Sequence, residues 1–134
     1  MKKLAEFGSW QPVTADWFDG GYYIAGGTDE VVRIRDGQKT EAGFSAGLLA
    51  GSTGDHLYYL RRQAKPNPAA GQDLSCDHVF RRDRQGKEES VTALQGTAEK
   101  GVLSGDQICL LYNPPWYQAG SRSKPQLVLY SLDK

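Results

Sequence analysis

"GDHLYYLRRQ" occupies residues 54–63 and "GDQICLLYN" occupies residues 105–113. In both stretches a Gly-Asp pair leads directly into a run of apolar residues. Glycine and aspartate are typical of tight turns, and short runs of aliphatic and aromatic residues are typical of strands. The two stretches therefore indicate that one turn-and-strand unit occurs more than once in this chain.

The whole chain can be written as three copies of one pattern. Each copy has a charged strand, a strand of small residues, a Gly/Asp turn, an apolar strand, a variable loop and a strand ending in aspartate. Tyr22, Leu57 and Ile108 take equivalent places in the three apolar strands. No stretch keeps a helical period for three turns, so we predict a single all-β domain. The copies span residues 1–38, 39–87 and 88–134.

A four-stranded repeat of roughly 35 to 50 residues resembles the blade of a β-propeller. Strands of small residues, such as GFSAGLLA at 43–50, would be innermost, where neighbouring blades crowd together. Charged strands, such as KTEAGF at 39–44, would be outermost and would protect an edge from aggregation. The resemblance implies three four-stranded blades in one chain. The alternative fold is the β-trefoil, which also has three four-stranded repeats.

The two ends of the sequence suggest how such a ring would close. Ordinary propellers have about four to eight blades, so three blades predict half of a six-bladed ring. Residues 1–9, MKKLAEFGS, are similar to the fourth strand KTEAGFSAG at 39–47, whereas residues 126–134, QLVLYSLDK, look like a third strand. We expect the N-terminal strand of one chain to complete the last blade of another, which gives a homodimer. A trefoil would be monomeric.

Composition limits the partners that this protein is expected to bind. Lys and Arg number 16, as do Asp and Glu, and the formal net charge is zero. Nucleic-acid binders usually carry a basic excess, and no apolar run has the length of a membrane span. No signal peptide is predicted, and Cys76 and Cys109 are interpreted as free thiols. The sequence predicts a cytoplasmic protein that binds neither nucleic acid nor membranes.

The sequence holds no convincing catalytic motif. Residues 43–47, GFSAG, match the nucleophile elbow of hydrolases, but that motif needs a helix after the serine, and here no helix follows because LLAGSTGD at 48–55 leads straight to a turn. Asp77 and His78 are adjacent in a strand, so they should point to opposite faces and cannot complete a triad. No standard zinc spacing or phosphate-binding loop occurs. We expect no catalytic residue, metal or other cofactor.

The variable loops supply the candidate binding residues. An aromatic anchor with a cationic rim is typical of a protein-interaction hot spot. The residues predicted to form it are Trp10, Trp116, Tyr117, Arg122 and Lys124. The leading hypothesis is a non-catalytic module that binds another protein, as a partner-neutralising immunity protein does. A carbohydrate-binding lectin is the alternative, because the same aromatic rings could stack on sugars, and a small hydrolase is the third.

Two further expectations concern side chains outside the loops. Trp17 follows a strand-like run and is expected in the core. The arginines that follow the second apolar strand alternate with carboxylates, which predicts a strand face joined by ion pairs. The residues in this face are Arg61, Arg62, Asp77, Arg81, Arg82, Asp83, Arg84, Glu88 and Glu89.

Overall fold

The described residues form three antiparallel sheets and no helix. The computed structural model describes Lys3 and residues 12–26, 30–67, 72–94, 96–113 and 126–132. The first sheet contains β1 (Pro12–Phe18), β2 (Gly21–Gly26), β3 (Glu30–Arg35) and β4 (Gln38–Ser45). The second contains β5 (Leu48–Ser52), β6 (His56–Asn67), β7 (Gln72–Asp83) and β8 (Glu88–Ala93). The third contains β9 (Thr97–Ser104), β10 (Gln107–Asn113) and β11 (Gln126–Ser131). The all-β prediction is confirmed.

Each sheet is a simple meander in which neighbours in the chain are neighbours in space. The charged strand that opens a predicted repeat forms the fourth strand of the preceding sheet. β4 begins at Gln38 and lies beside β3, and β8 begins at Glu88 and lies beside β7. A sheet therefore combines three strands of one repeat with the opening strand of the next.

Two hairpins of the first sheet turn on Asp-Gly pairs. Asp19 and Gly20 have φ angles of 48° and 76°, and Asp36 and Gly37 have φ angles of 52° and 76°. Two consecutive positive φ angles define the tight turn whose twist matches that of the flanking strands, and aspartate followed by glycine suits it. This turn chemistry fixes the registers of β1 with β2 and of β3 with β4.

The second sheet lies between the other two and is buried on both faces. Leu57 and Tyr59 pack in the cluster shared with the first sheet, whereas Tyr58 and Leu60 pack in the cluster shared with the third. Successive strand residues point to opposite faces, so a strand covered on both sides needs an unbroken apolar run. This is why residues 57–60 read LYYL.

The small-residue strands of the three sheets lie side by side. Thr14 Oγ1 accepts a 2.8 Å hydrogen bond from the amide of Leu49, and Ser52 Oγ donates one of 2.7 Å to the carbonyl of Trp17. Both contacts advance in the same direction along the chain, so β1 and β5 run parallel. β5 also contacts β9 on its other side. Strands can approach this closely only where side chains are small, and a Cβ added to Gly51 of β5 would lie 2.6 Å from the Cβ of Leu103 in β9.

The prediction that Trp17 lies in the core is wrong. Its side chain is 53% exposed, whereas the adjacent Phe18 is buried. The alternation of β1 turns Phe18 toward the second sheet, so Trp17 takes the opposite face, on which no described sheet packs.

Candidate interaction surfaces

All five predicted binding residues lie outside the described residues: Trp10, Trp116, Tyr117, Arg122 and Lys124. The strands that flank the three variable segments are described. These segments follow β2, β6 and β10, which occupy the same place in each meander. Because β1 and β5 run parallel, β2 and β6 end on the same side of the molecule.

The third sheet has an apolar face that no described sheet covers. Ile108 and Leu110 point toward the second sheet, so their neighbours on β10 point away from it. Cys109 pairs with Val102 on one side and with Leu129 on the other, and Leu127 lies in the next row opposite Leu111. Val102, Leu127 and Leu129 are 62%, 73% and 61% exposed. We call Val102, Cys109, Leu127 and Leu129 the third-sheet open face.

Equivalent positions in the other sheets are buried. Leu111 and Leu127 pair in the third sheet as Leu60 and Val79 pair in the second and as Ala25 and Val31 pair in the first. Leu60, Val79, Ala25 and Val31 are all buried. Leu127 is therefore exposed because no described sheet packs on its face, and not because its strand has a surface-type sequence.

The first sheet has a matching open face on the other side of the molecule. Trp17 and Tyr22 are cross-strand partners with ring centroids 4.8 Å apart in an edge-to-face arrangement, and each is 53% exposed. Tyr22 also pairs with the half-buried Ile34. Farther along the same face Ile24 is buried. Trp17, Tyr22 and Ile34, at the turn end, form the first-sheet open face.

The sequence contains a signal for the residues of both open faces. Tyr22, Leu57 and Ile108 are equivalent, and Leu57 and Ile108 are fully or almost fully buried while Tyr22 is exposed. Apolar residues on both alternating faces of the first and last sheets predict that a neighbour covers each face. The alternation of apolar residues does not show which chain or segment covers these faces.

An ion-pair network joins β6 to β8 across β7 in the second sheet. Arg61 donates to both carboxylate oxygens of Glu88 at 2.9 Å, and Tyr59 Oη donates to Glu88 Oε2 at 2.6 Å. The hydrogen bonds from Arg61 hold the pKa of Glu88 below its usual value. Burial, reinforced by the Glu88 carboxylate, raises the pKa of Tyr59. The Arg61 guanidinium also lies 4.6 Å from the centroid of the Phe80 ring.

The other ion pairs connect neighbouring strands of the second sheet, and a hydrogen bond to Asp77 links that sheet to the third. Arg81 pairs with Glu89 at 2.8 Å across β7 and β8. Buried Asp77 accepts a 2.5 Å hydrogen bond from the amide of Ala98 in the third sheet and lies 3.4 Å from Arg62. The predicted ion pairs are therefore confirmed in part, and they lie on both faces of the second sheet rather than on one. Arg82 instead lies over the Phe44 ring, Asp83 accepts from backbone amides and Arg84 donates to a backbone carbonyl.

Ser45, Asp77 and His78 do not form a catalytic triad. Asp77 points toward the third sheet and His78 lies on the opposite face beside Phe80. The carbonyl of Ser45 accepts a 3.0 Å hydrogen bond from Arg61. No group of three or more His, Cys, Asp or Glu side chains that could hold a metal occurs within the described ranges.

A cleft of about 390 Å³ lies between the turn ends of the first and second sheets. Of the charged and hydroxyl side chains that line it, those of Ser52, Thr53 and Arg84 already have partners, which leaves the carboxylate of Asp19. Ser52 donates to the carbonyl of Trp17, Thr53 Oγ1 accepts from two following amides, and Arg84 Nε donates to the carbonyl of Gly54 at 2.9 Å. These contacts leave few free polar groups to orient a ligand, so the open apolar faces are the stronger candidates.

Comparison with family models, with curated proteins and with solved structures found no match for this chain. Among the residues that the structure describes, no helix is long and apolar enough to cross a membrane.

Proposed function

We propose that the chain is half of a six-bladed β-propeller, completed by a second copy, and that it serves as a non-catalytic protein-binding module. The observation that carries the proposal is the exposure of apolar residues at both ends of the stack of sheets. Burying a side chain such as Leu127 contributes about 1.5–3 kcal/mol, so extended open faces favour association.

The second copy is the partner that fits both open faces at once. The two interfaces within the chain each join one sheet face to the next in the same order. Placing the third-sheet open face of one copy against the first-sheet open face of another repeats that relation. A twofold axis then makes two identical seams, which leaves neither face in water.

The arrangement of the inner strands supports this ring over a trefoil. β5 packs against both β1 and β9, but among the described residues no strand of the first sheet packs extensively against the third. A trefoil brings its three repeats into mutual contact around one axis. An open row of three sheets is what half of a larger ring requires.

The partner protein would bind the side from which the variable loops emerge. Trp10, Trp116 and Tyr117 supply aromatic anchors, and Arg122 and Lys124 supply cationic groups at their rim. A balanced charge disfavours nucleic acid as the partner. A cytoplasmic role in which this module neutralises another protein fits these features.

Light scattering tests the ring directly. A molar mass near twice the chain mass of 14.7 kDa at micromolar concentration is expected. A monomer at that concentration would contradict the two-copy ring and favour the trefoil.

Binding is tested with a loop variant and a matched control. Trp116→Ala with Tyr117→Ala should abolish retention of the partner that the native protein captures from host extract, and the purified pair should reproduce this loss. Asp55→Ala, in an exposed turn at the opposite end of the sheets, should retain the partner. Equal retention by both variants would exclude the loop side as the binding surface.

A further inference from the structure

The inner strands β1, β5 and β9 share one alignment, which the pairing within each sheet defines. The equivalent residues Tyr22, Leu57 and Ile108 of the apolar strands each have a cross-strand partner on the inner strand. Those partners are Trp17 on β1, Ser52 on β5 and Leu103 on β9. These three partners therefore take the same place in their sheets, and so do the residues that precede them.

Neighbouring inner strands pack in nearly the same register at both junctions within the chain. Between β1 and β5, Ser52 Oγ donates a hydrogen bond of 2.7 Å to the carbonyl of Trp17, its equivalent residue. Between β5 and β9, a Cβ added to Gly51 would lie 2.6 Å from the Cβ of Leu103, which is one residue beyond the equivalent of Gly51. An inner-strand residue thus meets, on the next sheet, its own equivalent or that of the residue after it.

At the two ends of the stack this relation reaches side chains that no described sheet covers. Val102 takes the place of Gly51, so its side chain points away from the second sheet and out of the third. Trp17 takes the place of Leu103, so its side chain points out of the first sheet, away from the second. Leu103 packs against the apolar cluster between the second and third sheets, whereas Val102 and Trp17 are 62% and 53% exposed.

We propose that Val102 of each copy packs against Trp17 of the other copy, in the register that Gly51 and Leu103 have within one chain. This contact rests on the two-copy ring proposed above and adds the register and the direction of each seam. β9 of one copy then lies beside β1 of the other, as β5 lies beside β9 within the chain.

The direction of the seam follows from which apolar faces remain in water. Contact between unlike faces covers both ends of each copy and closes after two copies. Contact between two third-sheet open faces would bury Val102 against Val102 and would leave Trp17 and Tyr22 exposed. Exposed apolar surface of that kind is unfavourable, so unlike faces are the better pairing.

The spacing between inner strands leaves room for these side chains. Asp16 at the β1–β5 junction takes the place that Gly51 has at the β5–β9 junction, so this place accepts a residue with a side chain. The isopropyl group of Val102 and the indole ring of Trp17 are both apolar. Their contact therefore removes two exposed apolar groups from water.

Chemical cross-linking tests the contact. Val102→Cys and Trp17→Cys are combined in a chain that also carries Cys76→Ser and Cys109→Ser, and the protein is treated with a short bis-maleimide at micromolar concentration. A covalent dimer on a denaturing gel is expected. The matched control combines Val102→Cys with Val91→Cys, because Val91 is also exposed and apolar but lies on β8 of the middle sheet, and this pair should give no covalent dimer.

Single-cysteine chains test the direction of the seam. Val102→Cys alone and Trp17→Cys alone should give no covalent dimer, because each residue faces an unlike residue of the other copy. A covalent dimer from either single variant would place like faces in contact and would overturn the proposal.

Light scattering of the same samples before cross-linking separates the contact from the ring. A mass of two chains with no cross-link in the paired variant would overturn the contact and leave the two-copy ring standing. A mass of one chain for the native protein would overturn both. Cross-linked species larger than a dimer would support the contact and contradict closure after two copies.

A second variant keeps the indole ring in place, in case its loss prevents association of the paired variant. Benzoylphenylalanine is introduced at position 102 of an otherwise native chain and is activated by light. A cross-link to the peptide that contains Trp17 of the other copy is expected, and mass spectrometry identifies it. A cross-link to a different peptide would overturn the contact.

Discussion

Leu127 and Val79 occupy the same place in the third and second sheets, yet Leu127 is 73% exposed and Val79 is fully buried. Leu127 lies opposite Leu111 as Val79 lies opposite Leu60. The third sheet covers the face that carries Val79, whereas no described sheet covers the face that carries Leu127. The same strand pattern is thus covered on this face in the second sheet and left uncovered by any described sheet in the third.

Charges on the third-sheet open face should prevent self-association without unfolding the chain. Leu127→Asp with Leu129→Asp places carboxylates where a second copy would bury them unpaired, which is strongly unfavourable. The measured mass should fall from two chains to one while the circular dichroism spectrum and cooperative unfolding persist. Val91→Asp is the control, because Val91 is also exposed and apolar but lies on β8 of the middle sheet. A dimeric double variant would show that this face is not a seam.

The alkylation rate of Cys109 measures whether the third-sheet open face is covered. Cys109 is a free, half-buried cysteine in the third-sheet open face. In a Cys76→Ser chain, alkylation of Cys109 should require no prior reduction and should slow as the protein concentration rises, because association covers the thiol. Rates are measured by mass spectrometry from nanomolar to micromolar protein. A rate independent of concentration would mean that association leaves Cys109 uncovered.

Gly51 is required where β5 approaches β9. Its φ of 151° is unusual for a residue with a side chain, and an added Cβ would lie 2.6 Å from Leu103 Cβ. Gly51→Ala should therefore lower the free energy of unfolding by about 1–3 kcal/mol in urea titrations. Gly54→Ala is the control, since a Cβ on Gly54 meets nothing within 4 Å. Equal free energies of unfolding for the two variants would show that β5 and β9 can move apart without loss of stability.

The Glu88 network should make stability depend on acidity. The folded-state pKa of Glu88 lies below its ordinary value of 4.5, so the carboxylate stabilises the fold above that pH. This contribution is lost as the pH falls through the lowered pKa. Glu88→Gln should cost about 1–3 kcal/mol at pH 7, because the charged hydrogen bonds from Arg61 are weakened.

Urea unfolding at a series of pH values from 7 downward, at one fixed protein concentration, measures this dependence. The difference between native protein and Glu88→Gln should shrink as the pH falls through the lowered pKa of Glu88, because protonation removes the charge of the native carboxyl. Glu89, the partner of Arg81, is more exposed than Glu88. Glu89→Gln should therefore have a smaller effect on stability at pH 7 than Glu88→Gln. A pH-independent difference would mean that ionisation of Glu88 does not stabilise the fold.

The local elements could be predicted from sequence because each depends on neighbours in the chain. Asp19-Gly20 and Asp36-Gly37 form tight turns because aspartate and glycine both tolerate the positive φ angles that such turns require. The apolar run at 57–60 forms part of a strand. The ion pair of Arg81 with Glu89 joins adjacent strands, as interleaved charges predict, whereas that of Arg61 with Glu88 spans the strand between them. The binding residues predicted in the loops lie outside the described residues and stay a prediction.

Sequence alone determined the strands, their repetition and the small residues of the inner strands, because turn chemistry, alternation and side-chain size act over short distances. Tertiary structure decided which face of each strand is covered. Trp17 and Phe18 are adjacent and both aromatic, yet only Phe18 is buried, because the second sheet packs on one side of β1 and not on the other. Burial depends on which sheets meet, and that relation joins residues far apart in the chain.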